Sequence, residues 1–219
     1  MSETVIHLDG ALPLAVLDER GWVQGAWESA GGVCAHQAIR LCAPVPGDAH
    51  LIEPVAKAHG HGPDWNDDDA TSEADVRAWL AEGIDVTDDD LAEVFGPQWR
   101  AVVSLVRRAA TLTGDEAGRL RAAWDAAGVA AGDAAGDAAW DAAWVAAGVA
   151  AGVAAWDAAR VAAGGAARGA AWDAAWAVVT WDLATGDGPY TEARRDLLIG
   201  PWVEVCGLPE GLIEREDMD

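Results

Sequence analysis

The sequence carries very little positive charge. Of its 219 residues, 14 are Lys or Arg and 37 are Asp or Glu, which gives a formal net charge of −23 and a sequence pI of about 4.2. A protein that coats nucleic acid needs a basic surface to neutralise the phosphates. We therefore expect no direct binding to nucleic acid.

Cysteines are few, and uncharged apolar runs are short. The three cysteines, Cys34, Cys42 and Cys206, are an odd and sparse set, which indicates free thiols in a reducing cytoplasm. No run of about 18 apolar residues free of charge is present, so we expect no membrane span. The first residues lack the basic and apolar regions of a secretory signal. These absences favour a cytoplasmic protein.

Aromatic residues other than tryptophan are almost missing. One Phe and one Tyr stand beside 13 Trp, while 52% of the residues are hydrophobic. Much of that fraction is alanine, which buries little area per residue. The bulk of any core must therefore come from Trp, Leu and Val.

A four-residue repeat occupies residues 122–177. It consists of fourteen consecutive tetrads of the form Ala-Ala-[Trp/Gly/Arg]-[Asp/Val/Gly/Ala]. Three tryptophans of the repeat each have a second tryptophan 32 residues further on, a spacing that suits a helical hairpin. These six tryptophans and two outside the repeat are the predicted structural tryptophans: Trp99, Trp124, Trp140, Trp144, Trp156, Trp172, Trp176 and Trp202.

The tetrads predict long helices. Alanine is the best helix former, and no proline occurs between Pro97 and Pro189. A period of four exceeds the helical 3.6, so the Trp position rotates by about 40° per tetrad and one straight helix cannot bury every Trp. We expect an antiparallel helical hairpin, broken near Gly148–Gly152 or at Gly164-Gly165, with Gly on one helix admitting Trp from the other. The aspartates of the tract, Asp125 and Asp173 among them, are expected at the surface.

Composition divides the chain into three predicted domains. Residues 1–112 form an acidic, mainly helical N-terminal domain, in which Thr4–Leu8 and Leu14–Leu17 are candidate strands. Residues 113–185 form the tetrad-repeat helices, and 186–219 form a C-terminal element with an acidic tail. The predicted fold class is all-α.

Two segments share a helix-ending pattern. Residues 86–103 and 190–207 each contain a capping Thr, a short helical stretch, Gly-Pro and a Trp. Glycine ends helices and proline favours their first turn. The pattern predicts a helix-corner-helix at both places.

Few residues indicate catalysis or metal binding. Cys34 follows two glycines at a predicted helix start, where the helix dipole would activate a thiol, and His36 is a nearby candidate base. Four residues match a calcium loop, although Asp69 stands where that loop needs glycine: Asp64, Asn66, Asp68 and Asp75. Phosphate-binding loops, dinucleotide fingerprints and nucleophile elbows are absent from the sequence, and we expect no cofactor.

The acidic residues are concentrated in one stretch. Between Asp64 and Glu93 there are twelve acidic residues against Arg77 alone. Acidic helices keep an alanine-rich chain in solution, and they can also attract a basic partner by electrostatic steering. The predicted partner-binding residues are Asp67, Asp68, Asp69, Asp88, Asp89 and Asp90.

Several motifs resemble a group of proteins from phages and mobile elements of actinobacteria, which have AAW/AAR/AAG tetrads. The matching positions are Gly32-Val-Cys34 with His36 and Ala38, Gly47-Asp48-Ala-His50, Pro54-Val55, Trp65-Asn66-Asp67, the tract at 122–177, and Thr191 with Leu198-Ile-Gly-Pro-Trp202. The chain departs from that pattern at His36-Gln37, where a Met-Glu-like pair is expected, and in a rearranged Asp-His-Pro turn. The resemblance implies a phage accessory or immunity-type gene and no particular mechanism.

The sequence thus favours a non-enzymatic, acidic, helical interaction protein. Its expected partner is a basic protein, such as a toxin, or an enzyme that acts on nucleic acid. One alternative is a helical bundle that sequesters a small molecule or forms homo-oligomers through the repeat helices. Another is a Cys-dependent enzyme centred on Cys34.

Overall fold

Helices form most of the chain that the structure describes. This computed structural model describes residues 2–131, 158–159, 161–163, 167–184 and 190–213. Within those ranges, four short strands accompany the helices. The expected all-α fold is confirmed.

The chain divides into two units, Met1–Leu91 and Ala92–Asp219. This division follows contacts between residues, whereas the predicted boundaries at 112 and 185 follow composition. The three-domain division stays a prediction.

The N-terminal unit is a set of short helices with two small antiparallel strand pairs. Strand β1 pairs with β4, with Leu8 opposite Ile84, and β2 pairs with β3. The elements are β1 (Thr4–Leu8), α1 (Ala11–Arg20), β2 (Glu28–Ser29), β3 (Gly32–Val33), α2 (Ala35–Cys42), α3 (Asp48–Ala58), α4 (Pro63–Asn66), α5 (Glu73–Ala81) and β4 (Ile84–Thr87). Helix α6 (Asp88–Phe95) crosses the division between the units.

One of the two predicted strands is wrong. Thr4–Leu8 is a strand, as expected, but Leu14–Leu17 lies within α1. The carboxylate of Asp9 accepts a hydrogen bond from the N–H of Ala11 at 2.9 Å, which satisfies a free donor of the first turn. Pro13 falls in that same turn, where its missing N–H costs no hydrogen bond.

The core of the N-terminal unit is aliphatic. Helices α1, α2, α3 and α5 and strands β1 and β4 each contribute buried side chains. These include Leu8, Leu17, Ile39, Leu51, Ile52, Val76, Leu80 and Val86. No tryptophan of the unit is fully buried, so the tryptophans are not part of this core.

Reciprocal caps begin two helices of this unit. Ser72 and Asp75 bond each other's backbone N–H at the start of α5. Thr87 and Asp90 do the same before α6, with Asp90 Oδ2 lying 2.8 Å from the backbone nitrogen of Thr87. Each cap satisfies two N–H groups that a helix start leaves free.

The C-terminal unit packs helices on helices. Its described helices are α7 (Trp99–Ala110), α8 (Gly114–Ala131), α9 (Arg168–Val179) and α10 (Glu192–Cys206), with a short 3-10 turn at Trp181–Leu183. Helix α10 contacts both α8 and α9, and α9 also contacts α7. Thr113 and Glu116 form the reciprocal cap of α8.

The two Gly-Pro segments differ in structure. At the first, α6 ends at Phe95, Gly96 takes a positive φ of 75°, and α7 begins at Trp99, so the chain has the expected break between two helices. At the second, α10 continues as one helix through Pro201, so the predicted C-terminal corner is wrong. Gly200 has no Cβ, which removes part of the clash that normally keeps a residue before proline out of the helical region.

The repeat helices pack as a Trp against a Gly. A Cβ added to Gly169 of α9 would lie 2.8 Å from the indole of Trp124 on α8. The same indole donates a hydrogen bond from Nε1 to Asp173 Oδ2 at 2.7 Å. Asp173 is therefore an interhelical acceptor rather than the surface group expected from sequence, whereas Asp125 is exposed as expected.

We expect Gly169→Ala to destabilise the C-terminal unit. Overpacking costs about 1–3 kcal/mol, which outweighs the gain of about 1 kcal/mol in helix propensity. Gly118→Ala is the matched control, because a Cβ there meets nothing within 4 Å in α8 and should stabilise. Urea unfolding of both variants, followed by circular dichroism, measures the difference. Equal stabilisation by the two substitutions would contradict the Trp124–Gly169 contact.

Several predictions fall outside the described residues. These are Trp140, Trp144 and Trp156, the expected helix breaks at Gly148–Gly152 and Gly164-Gly165, and the acidic residues 214–219. The antiparallel hairpin therefore stays a prediction. In the ranges that are described, no helix is both long enough and apolar enough to cross a membrane.

Candidate functional site

Two of the predicted acidic residues stabilise the loop after α4. Oδ1 of Asp67 accepts hydrogen bonds from the N–H of Gly25 and from Asn66 Nδ2, both at 2.8 Å. Oδ1 of Asp68 accepts one from the N–H of Ala70 at 2.8 Å. Both aspartates are exposed, so each keeps part of its carboxylate in water.

Asp88 and Asp90 also stabilise local structure. Hydrogen bonds from the Ser2 hydroxyl and the Glu3 N–H lower the pKa of Asp88. Burial acts to raise the pKa of Asp90, but hydrogen bonds from Thr87 and the nearby His59, 3.1 Å away, outweigh it and lower the pKa. Both carboxylates are therefore ionised near neutral pH, and both form hydrogen bonds that stabilise the local fold.

Of the six predicted partner-binding aspartates, Asp69 and Asp89 are the two whose carboxylates the fold does not use. Both are exposed, and neither carboxylate makes a hydrogen bond or ion pair within the described ranges. They lie within the loop after α4 and in the first turn of α6. Two of the six predicted partner-binding carboxylates are thus available for contact with a partner.

The charge of the N-terminal unit is strongly unbalanced. Residues 1–91 contain 18 Asp and Glu against four Arg and Lys, a formal charge of −14. Three of the four cations pair with carboxylates of the same unit: Arg20 with Glu28, Arg40 with Glu53, and Arg77 with Asp18 and Glu73. Most of the unit's carboxylates therefore lack a Lys or Arg partner within the unit, and most of them are exposed, Asp48 being buried.

A cluster of tryptophan and histidine rings lies in the same unit. We call Trp27, His36, His61, Trp65 and Trp79 the Trp–His cluster. His61 stacks on Trp79 with ring centroids 5.0 Å apart and meets Trp65 edge-on at 4.8 Å. His36 lies 6.0 Å from Trp79 and 6.4 Å from Trp27. The five rings form one continuous set of contacts.

The candidate catalytic pair belongs partly to this cluster. Cys34 caps α2, and its Sγ accepts a hydrogen bond from the N–H of Gln37 at 3.3 Å. Burial raises the pKa of the thiol, which keeps it protonated and weakly nucleophilic at neutral pH. His36 is buried, and its Nε2 donates to the carbonyl oxygen of His61 at 2.9 Å. Burial lowers the pKa of His36, so the ring is neutral, and each candidate bonds to backbone rather than to the other.

An ion pair lies beside the cluster. The guanidinium of Arg40 bonds Glu53 through Nη2 at 2.7 Å and lies 4.2 Å from the ring centroid of Trp27. Burial, with Arg40 nearby, lowers the pKa of His50 to about 4. Arg40 Nε and His50 Nδ1 are buried without a hydrogen-bond partner in the described part of the chain. A cation is thus already stacked on a tryptophan of the cluster.

Asn66 connects the loops that carry the cluster. The side chain is 1% exposed, and its Oδ1 accepts hydrogen bonds from Trp22 Nε1 at 3.0 Å and from the N–H of Ala35 at 3.2 Å. Its Nδ2 donates to the carbonyl of Val23 at 3.4 Å and to Asp67 at 2.8 Å. Asn66 therefore joins α4 to the segment at 22–23 and to the start of α2.

The four calcium candidates are not brought together as ligands. Asn66 is engaged as described, and Asp75 caps Ser72 at the start of α5. No group of three or more His, Cys, Asp or Glu side chains in the described residues could hold a metal ion. The spacing resembles a calcium loop, but the hydrogen bonds of Asn66 and Asp75 are those of a loop support and a helix cap.

The predicted structural tryptophans that the structure describes differ in exposure. Trp99, Trp176 and Trp202 are buried, and Trp124 and Trp172 are half-buried. Sequence alone did not indicate that Trp27, Trp79, His61 and Arg40 belong to one site. The sequence shows only that these tryptophans occur outside the tetrads. That they contact the same histidines and Arg40 depends on the packing of α2 against α3 and on the position of α5.

Comparisons with known proteins identify no relative. No protein-family model matches the chain, and searches of curated proteins and of solved structures find no match. The resemblance to proteins of actinobacterial phages and mobile elements therefore stays a prediction.

Proposed function

We propose that the protein is a non-enzymatic, acidic interaction protein that binds a basic macromolecular partner through its N-terminal unit. The observation that carries this proposal is the formal charge of −14 on residues 1–91, three of whose four cations are already paired. A surface of one sign raises the association rate of an oppositely charged partner. Direct binding to nucleic acid is not proposed, because the phosphates would be repelled.

The proposed setting is a phage or mobile-element accessory or immunity-type role in the cytoplasm. Its support is the resemblance noted above, together with three free cysteines, two of which, Cys42 and Cys206, are half-buried. In that setting the basic partner is a toxin, a nuclease or another enzyme that acts on nucleic acid. An acidic protein can occupy the basic substrate groove of such an enzyme.

Capture from host lysate, followed by titration of the captured protein, tests this function. We expect a partner with a basic surface whose affinity falls steeply between about 50 mM and about 200 mM salt. The variant Asp69→Asn/Asp89→Asn removes two uncommitted charges without breaking a helix cap, and we expect a loss of about threefold to tenfold. Glu204→Gln/Glu210→Gln removes two exposed charges from the C-terminal unit and is the matched control.

Binding that is insensitive to salt, or that weakens equally in both double variants, would contradict the proposal. So would the absence of any captured protein at low salt. Circular dichroism of both variants establishes that the helices are intact before the titration is interpreted.

A groove in the C-terminal unit favours a second candidate function, small-molecule sequestration or self-assembly. It has a volume of about 660 Å³, within the usual range for ligand sites, and lies between α8 and α10. Its apolar lining includes Ala122, Ala123, Ala126, Leu197 and Pro201. Light scattering distinguishes the self-assembly version, which requires a homo-oligomer.

A further inference from the structure

The tryptophans of the N-terminal unit retain exposed surface. Trp27 is 42% exposed, and Trp22, Trp65 and Trp79 are half-buried. In the C-terminal unit, by contrast, several of the described tryptophans are fully or almost fully buried: Trp99, Trp176, Trp181 and Trp202. Partly exposed tryptophan is a common anchor of protein interfaces, because it buries a large area with little loss of side-chain entropy.

Ring contacts connect Trp65, Trp79 and Trp27, and the His36 ring between Trp79 and Trp27 is itself buried. Trp65 meets Trp79 edge-on at 5.5 Å, and Trp79 continues to Trp27 through His36. Because the rings support one another, a partner side chain would meet a rigid aromatic surface. A rigid surface loses little entropy on binding.

The contact between Arg40 and Trp27 is an example of a guanidinium bound at this cluster. Its guanidinium lies over the Trp27 ring at 4.2 Å while Glu53 binds it at 2.7 Å. A guanidinium thus gains a cation–π contact and a charge-assisted hydrogen bond at the same place. Trp27 remains 42% exposed with Arg40 in position.

Carboxylates flank the exposed rings in the chain. Glu28 follows Trp27, and Asp64 and Asp67 stand on either side of Trp65-Asn66. All three acidic residues are exposed. The combination of aromatic faces and carboxylates is complementary to arginine side chains, which stack and form bidentate hydrogen bonds.

We infer that the Trp–His cluster, with Glu28, Asp64 and Asp67, is a docking surface for an arginine-rich segment of a basic protein. The inference rests on the proposed function and assigns it a place and a chemistry. Arginine side chains stack on Trp27 and on the half-buried Trp65 and Trp79. Their N–H groups are accepted by Asp64 and by the second oxygen of Asp67, whose Oδ1 already binds Gly25 and Asn66. Glu28, which pairs with Arg20, adds negative charge beside Trp27. Lysine, whose ammonium is compact and strongly hydrated, gains less from the aromatic faces.

Calorimetric titration of the full chain with hexa-arginine and hexa-lysine peptides tests the inference. We expect hexa-arginine to bind at least about threefold more tightly than hexa-lysine. Trp27→Ala should weaken hexa-arginine binding by about fivefold to tenfold and leave hexa-lysine binding nearly unchanged. Leu12→Ala is the matched control, because Leu12 is 41% exposed in the same unit and is not part of the cluster.

A second measurement needs no substitution in the titrated protein. The indole N–H resonances of Trp27, Trp65 and Trp79 in wild-type protein should shift when hexa-arginine is added. Those of the buried Trp176 and Trp202 should not. Single Trp→Phe variants assign the resonances.

The outcomes separate this inference from the proposed function. Equal affinity for the two peptides, with no effect of Trp27→Ala and no shift of the cluster resonances, overturns the inference. If salt-sensitive binding to the captured basic protein then persists, the proposed function stands with its contact surface elsewhere. If the wild-type protein binds neither peptide and no basic protein, the inference and the proposed function are both overturned.

Discussion

Replacing Asn66 by alanine is expected to lower the free energy of unfolding of the N-terminal unit by about 3–4 kcal/mol. The amide makes four hydrogen bonds while only 1% exposed. Alanine removes all four and leaves the indole N–H of Trp22 and the N–H of Ala35 without their acceptor. A donor left buried and unsatisfied costs about 1–3 kcal/mol, which is more than a typical hydrogen bond contributes.

The aspartate variant shows whether geometry or polarity matters at this position. In Asn66→Asp, one oxygen still accepts from Trp22 and Ala35. The other replaces a donor and faces two acceptors, the carbonyl of Val23 and the carboxylate of Asp67. We expect Asn66→Asp to be destabilised by a similar amount above the pKa of the new carboxyl, although its shape is the same.

Gln24→Ala is the matched control for both Asn66 variants. Gln24 is an exposed amide whose Nε2 donates to the carbonyls of Asp68 and Thr71, both at 2.9 Å. Because water can replace those bonds, the loss should be about 1 kcal/mol or less. Urea unfolding followed by circular dichroism measures all three variants. An Asn66→Ala loss no larger than that of Gln24→Ala would show that Asn66 does not support the cluster.

Asp173→Asn is expected to stabilise the C-terminal unit by about 2–3 kcal/mol at pH 8 and by almost nothing near pH 4. Burial raises the pKa of Asp173 to about 6, against the opposing hydrogen bond from Trp124. Because the folded state binds this proton more tightly than the unfolded state, protonation favours folding. That contribution is fully present below the pKa of 3.8 that is usual for an aspartate in an unfolded chain, and it is lost as the pH rises through about 6.

Asparagine keeps the acceptor without the charge. Its side-chain oxygen can still accept from Trp124 Nε1, which now lies 2.7 Å from the aspartate oxygen. Asp125→Asn is the control on the facing helix, since Asp125 is exposed and pairs with Arg121 at 3.0 Å. An exposed pair contributes about 0–1 kcal/mol. Thermal unfolding of both variants across pH 4 to 8 measures the difference, and a pH-independent gain in Asp173→Asn would contradict a raised pKa.

The helix caps depend on local sequence alone. Ser72 with Asp75 and Thr113 with Glu116 were predictable because a cap needs only residues three positions apart. The first Gly-Pro corner at Gly96 was predictable for the same reason. The second was not, because glycine before proline permits both a corner and a continuous helix. Burial of Trp202 within the packing of α10 accompanies the continuous helix.

Residue spacing was not sufficient to predict the candidate site. Trp27, Trp65 and Trp79 lie on three different elements or loops, and their contact through His36 and His61 depends on how α2, α4 and α5 pack. Asn66 matched a calcium-loop position in sequence, but burial makes it a support for Trp22 and α2. Likewise, Asp173 has the same tetrad context as the exposed Asp125, and only the approach of α8 to α9 buries it.

The sequence by itself determined the helical character of the chain, its large negative charge and the positions of its caps, because propensity, charge and capping act over a few residues. Only the tertiary structure decided which tryptophans are buried and which stay exposed, and which carboxylates serve the fold. Burial and hydrogen bonding depend on residues that are distant in the chain, such as Asn66 from Trp22 and Trp124 from Asp173. The few Lys and Arg residues of the N-terminal unit are largely paired, so most of its carboxylates have no basic partner within the unit.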